Sequence, residues 1–129
     1  MIHKENTVSS KLLISLFSKI IRKRLPLEIQ VVELSLMDSQ KLNKMYRKKN
    51  KPTNVLSFRY GKNYGEILLC LDVIKKEAKR AGNTYRYQMT WMILHGMLHL
   101  AGMHHENSKT LEKRVEKIEE KILAKIFKP

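Results

Sequence analysis

Four of the chain's five histidines fall in one short run, HGMLHLAGMHH, at residues 95–105. His95 and His99 are four apart in a stretch of helical character, so one helical turn sets both rings on the same face. Gly102 lets the chain leave that helix and turn back. His105 follows three residues later and can close a tripod. Three neutral imidazoles suit one zinc ion and leave its fourth position open to water. That is the catalytic pattern, because structural zinc sites are usually four-coordinate and rich in sulfur. This chain has a single cysteine to offer. Leu94, Met97, Leu98 and Leu100, lying among the histidines, read as core.

The histidines and Gly102 also match the protease signature H-E-x-x-H-x-x-G-x-x-H. The residue after the first histidine is Gly96, where a protease carries the glutamate that acts as general base. Without that carboxylate, peptide hydrolysis lacks its usual proton acceptor, so protease is set aside.

A chain of 129 residues suits one domain, 1–129, around one core. Its 43% hydrophobic residues are ordinary for a globular protein, which sets it apart from disordered chains. Lys and Arg number 26 against 12 Asp and Glu, a formal net charge of +14. Such an excess points to a polyanionic partner, either nucleic acid or an anionic membrane surface. Cys70, alone and in an apolar run, forms no internal disulfide and reads as a buried strand residue. A reducing cytoplasmic compartment is the expectation. The apolar run Leu12 to Phe17 is too short to span a bilayer, and no targeting signal is visible.

Periodicity predicts a helix over 10–24, from Leu12, Leu13, Leu16, Phe17, Ile20 and Ile21 on one stripe. Strands are expected over 27–34, 55–60 and 66–71, with a further short edge strand over 1–5. The remaining helices are placed at 38–48 with Asp38 as cap, 72–82 with Asp72 as cap, 84–100, and from Ser108 onward. The fold class is α+β: a small mixed sheet of about four strands with about five helices packed on it.

Between Ser39 and Gly65 there is no acidic residue, while Lys41, Lys44, Arg47, Lys48, Lys49, Lys51, Arg59 and Lys62 all occur. Lys44, Lys48, Lys49, Lys51 and Arg59 are candidates for phosphate contacts, which dominate nucleic-acid affinity. Tyr46, Phe58, Tyr60 and Tyr64 could stack on bases. Arg47 differs from the lysines, since a guanidinium can fork onto a phosphate through two bonds.

Together these motifs resemble the YbeY family of bacterial ribosomal-RNA maturation endoribonucleases. HGMLHLAGMHH is similar to that family's H-G-x-L-H-L-x-G-Y-D-H zinc signature. Leu42 to Arg47, with Lys51-Pro52-Thr53-Asn54-Val55-Leu56-Ser57-Phe58, resembles a second signature. Gly65-Glu66-Ile67, Val73-Ile74 and Glu77-Ala78 resemble a third. The likeness covers about residues 27–125. It implies that His95, His99 and His105 bind zinc, that Arg47 is the functional arginine, and that the sheet is mixed. It also implies an endoribonuclease acting in small-subunit ribosomal-RNA 3′-end processing and ribosome quality control, with no membrane partner.

The chain departs from the family pattern in three places. Met103-His104 stands where Tyr-Asp is usual, and His104 reads as exposed or supporting, since a ligand adjacent to His105 would be cramped. Asn50 replaces an Asp, and Arg59 replaces a Pro. No carboxylate occupies a motif position suited to a general base, so a hydroxide on the metal or the RNA's own 2′-hydroxyl is left as nucleophile. The competing readings are a non-catalytic, zinc-stabilised RNA-binding ribosome-assembly protein and a zinc hydrolase of a small phosphorylated or amide substrate.

Overall fold

The structure, a computed structural model, describes residues 8–104 and 108–128. The strand expected over 1–5 and the proposed ligand His105 lie outside the described residues.

The order is α1 (Ser10–Leu16), α2 (Lys19–Arg24), β1 (Glu28–Leu34), α3 (Leu36–Arg47), β2 (Val55–Arg59), β3 (Tyr64–Cys70), α4 (Leu71–Ala81), α5 (Tyr85–Leu100) and α6 (Lys109–Ile126). The described sheet has three strands in the order β1-β3-β2, rather than the expected four. β3 is central. It pairs in parallel with β1, Val31 opposite Ile67, and antiparallel with β2, Leu56 opposite Leu68. The parallel pairing requires the crossover through α3, while a short turn suffices for the β2–β3 hairpin.

The single helix expected over 10–24 is two. Ser15 Oγ bonds back to the Leu12 carbonyl at 2.6 Å, and Phe17 takes an extended conformation. Ser18 then caps a new helix by accepting from Ile21 N. That break raises the helix count from five to six. Two expected caps also move. Ser35, not Asp38, caps α3 by accepting from Asp38 N at 3.1 Å, so the acid sits in the first turn. Helix α4 begins at Leu71 after Cys70, which makes no side-chain cap bond, and Asp72 likewise falls in the first turn. Both acids still favour the positive end of the helix dipole. Thr84 and Ser108 cap α5 and α6 as their positions suggest.

Helix α5 is the hub. Ten of its residues are buried, and it packs against β2, β3, α4 and α6. Ile67 and Leu69 of β3 are fully buried on the same core as Met89, Ile93, Leu94, Met97 and Leu98 of α5. Val115, Ile122 and Leu123 of α6, with Leu13 of α1, Phe17 of the link after it and Ile21 of α2, complete that core. Cys70 is buried at the end of β3, as its apolar run suggests. Among the described residues no helix is long and apolar enough to cross a membrane.

Candidate active site

The histidine face of α5 opens onto a cavity of about 480 Å³ between the sheet, the end of α3 and helix α6. His95 and His99 border it one helical turn apart, their ring centroids 4.6 Å from each other. Helix α5 ends as the spacing predicts: Gly102 adopts φ 85°, a left-handed turn that glycine makes without Cβ strain. Beyond that turn His104 is exposed. Its ring centroid lies 5.2 Å from that of His99, and it borders the cavity rather than standing apart from it.

Gly96 explains why no side chain follows the first histidine. A Cβ there would come within 2.8 Å of Ile67 Cγ2 and 3.1 Å of Ser57 Oγ. The helix lies so close to the sheet that Ser57 Oγ donates to the Gly96 carbonyl at 3.2 Å. A protease-type glutamate at this position would run into Ile67 and Ser57 of the sheet.

Arg47 reaches the same cavity from the last turn of α3. Its placement follows from how the next loop is tied down. Lys48 turns the chain with φ 59°. Ser39 Oγ then donates to the Thr53 carbonyl at 2.8 Å and accepts from Thr53 N at 2.9 Å, and Asn43 Nδ2 donates to the Lys51 carbonyl at 2.9 Å. Ser39 and Asn43 are almost completely buried. These bonds hold α3 beside β2, so Arg47 and residues 54–58 form adjoining walls of the cavity. Tyr46 and Phe58 meet edge to face there at 4.9 Å between ring centroids.

Lys44, Lys48, Lys49 and Lys51 are exposed on α3 and its following loop, near Arg47 in the chain, and do not border the cavity. Arg59 has a scaffold role. Its Nε donates to the Gly61 carbonyl at 2.8 Å, and its Nη1 to the Leu100 carbonyl at 2.7 Å and to the Arg24 carbonyl. The Leu100 carbonyl belongs to the last turn of α5, where backbone acceptors lack helical partners. Arg59 thus joins the ends of α2 and α5. It also lines a second cavity of about 490 Å³ that shares Ser57, His99 and His104 with the first.

Three carboxylates border the histidine cavity: Glu77, which falls in the third motif, and Glu116 and Glu119, which no motif singles out. Asn54 Nδ2 donates to Glu77 Oε1 at 2.9 Å. Glu119 is buried and lies 2.8 Å from His95 Nδ1 through Oε2. The sequence signal for Glu119 was its phase. It sits four residues after Val115 and three before Ile122, on the inward stripe of α6.

The donor chemistry suits a divalent metal. Two imidazoles lie on successive turns at one cavity, and a buried carboxylate stands behind one of them, the arrangement that orients metal-bound histidines.

The family model described as endoribonuclease YbeY matches residues 2–127. A Thermosipho melanesiensis protein named endoribonuclease YbeY is 37% identical over 102 residues, covering 78% of this chain and 74% of that protein. A Bartonella bacilliformis protein of the same name is 34% identical over 129 aligned residues, covering 93% of this chain and 81% of its own length. A Thermotoga maritima protein solved in solution is similar in fold, with a TM-score of 0.58 and 27% identity, over 90% of this chain and 82% of that one. On the strength of the match along nearly its whole length, this chain belongs to the endoribonuclease YbeY family.

Proposed function

We propose that this chain is a zinc-dependent endoribonuclease that acts on ribosomal RNA, in processing of the small-subunit 3′ end and in ribosome quality control. The observation that carries the reading is the convergence of His95, His99 and Arg47 on one cavity, in a chain of net charge +14. The relatives' shared name supplies the substrate class. His95, His99 and, from its place in the sequence after Gly102, His105 would hold the metal. When bound, zinc supplies Lewis acidity toward a phosphoryl oxygen and acidifies a water molecule.

The protein's own groups do the rest. Arg47 binds the scissile phosphate and stabilises charge that develops on it. Tyr46 and Phe58 offer ring surfaces on which a neighbouring base can stack. The second cavity extends the first past His99 and His104 toward Arg24 and Arg59. An extended groove of this kind accommodates a strand, whereas a small substrate calls for a closed pocket. The exposed lysines 44, 48, 49 and 51 add long-range attraction for the backbone. The setting is cytoplasmic, where ribosomal RNA is made and matured.

Two linked measurements test this. Binding of a non-cleavable single-stranded RNA should weaken steeply as salt rises. Arg47→Ala should reduce the log–log slope by about 0.7, the share of one phosphate contact. The same substitution should slow cleavage by about 10²–10³-fold, the loss typical of removing one group that stabilises transition-state charge. A salt-insensitive affinity would point to a small substrate, and a wild-type rate in Arg47→Ala protein would remove that residue from the reaction.

A further inference from the structure

Glu119 occupies a position that the apolar stripe of α6 would give to a leucine. It is 4% exposed, among Val115, Ile122 and Leu123. An ionised carboxylate in such a place costs free energy unless its oxygens are bonded. Both are. Oε1 accepts from Trp91 Nε1 at 3.0 Å, and Oε2 lies 2.8 Å from His95 Nδ1. Trp91 and His95 are themselves four apart on α5, so the carboxylate spans one helical turn and bonds at both ends. Packing of α6 on α5 does not need this, since an apolar side chain of similar volume would serve it as well or better.

We propose that Glu119 is the positioning residue of the metal centre. It holds His95 in the tautomer with the proton on Nδ1, which makes Nε2 the coordinating nitrogen. Trp91 in turn steers the carboxylate, so that the oxygen facing His95 is set by a second bond and does not swing. The ring reaches the metal already oriented, and its basicity is raised by the charge behind it. This rests on the reading above that His95 is a metal ligand.

The test uses full-length protein stripped of metal. Zinc affinity is measured by competition with a chromophoric chelator for wild type, Glu119→Gln, Glu119→Leu and His95→Ala. The His95 tautomer is read in the metal-free wild type and Glu119 variants by ¹⁵N imidazole NMR. Loss of a carboxylate behind a ligating histidine typically weakens metal binding by about 10–100-fold, and Glu119→Leu should fall in that range with Glu119→Gln between it and wild type. The wild-type ring should show the Nδ1–H form, and Glu119→Leu a mixture. A purely structural Glu119 would shift melting temperature and leave both readouts unmoved. Zinc affinity in Glu119→Leu equal to that of wild type overturns the proposal, and if that variant does not fold, Glu119→Gln decides in the same way. Equal zinc affinity in wild type and His95→Ala is a different failure: it removes His95 from the ligand set and overturns the parent reading.

Discussion

His99→Ala protein is expected to lose RNA cleavage altogether while keeping nearly wild-type affinity for RNA. His99 lies in the next-to-last residue of α5, half-buried, with its ring 4.6 Å from that of His95. Alanine is the best helix former, so the backbone tolerates the change. RNA affinity should survive because the proposed phosphate contacts, the exposed lysines and Arg47, are left unchanged. Some stability should be lost in the zinc-loaded protein, since metal binding couples to folding. Cleavage, RNA affinity and melting temperature therefore need to come from one preparation. A non-catalytic RNA-binding protein with stabilising zinc would show the opposite pattern: affinity and melting temperature would fall together, with no cleavage to lose. Equal cleavage by wild type and His99→Ala protein would assign the activity to another site.

Gly96→Glu is expected to be the most destabilising single change in the histidine run. The Ile67 side chain that a new Cβ would strike is fully buried on the central strand, so it cannot simply swing aside. Gly96→Ala should already cost roughly 1–3 kcal/mol, the usual price of forcing extra volume into a close-packed core. The glutamate adds a buried charge with no room for water and should prevent stable folding. Chemical denaturation of the two variants beside wild type measures this. A Gly96→Ala protein as stable as wild type would mean that the helix can move off the sheet. Close packing of α5 on β2 and β3 leaves the position to glycine, which accounts in steric terms for the missing protease base.

What the sequence disclosed and what it withheld follow from the range of each interaction. The pairing of His95 with His99, and the turn at Gly102, depend on neighbours within one or two helical turns, so spacing alone predicts them. The α+β class and the β2–β3 hairpin were legible for the same reason. The break at Phe17–Ser18 was not, because an unbroken apolar stripe ran across it and two serines competed locally for the backbone. Ser35 caps α3 where the sequence suggests Asp38, because both residue types cap helices well and the two stand only three residues apart. The role of Arg59 depends on Arg24 and Leu100, far away in the chain, and no local pattern carries it. Glu119 lies between these cases. Its contact with His95 spans 24 residues, yet an acid on the inward stripe of α6 was a visible anomaly.

The role of the metal is tested most directly by cleavage of a defined RNA with one nuclease-free preparation, first stripped of metal by chelation and then reloaded with one equivalent of zinc. The stripped protein should bind the RNA and leave it intact. Zinc should restore cleavage in wild type and fail to restore it in His99→Ala protein. Stripped protein that cleaves as fast as reloaded protein would contradict the claim that the histidine face of α5 holds the metal on which the reaction depends.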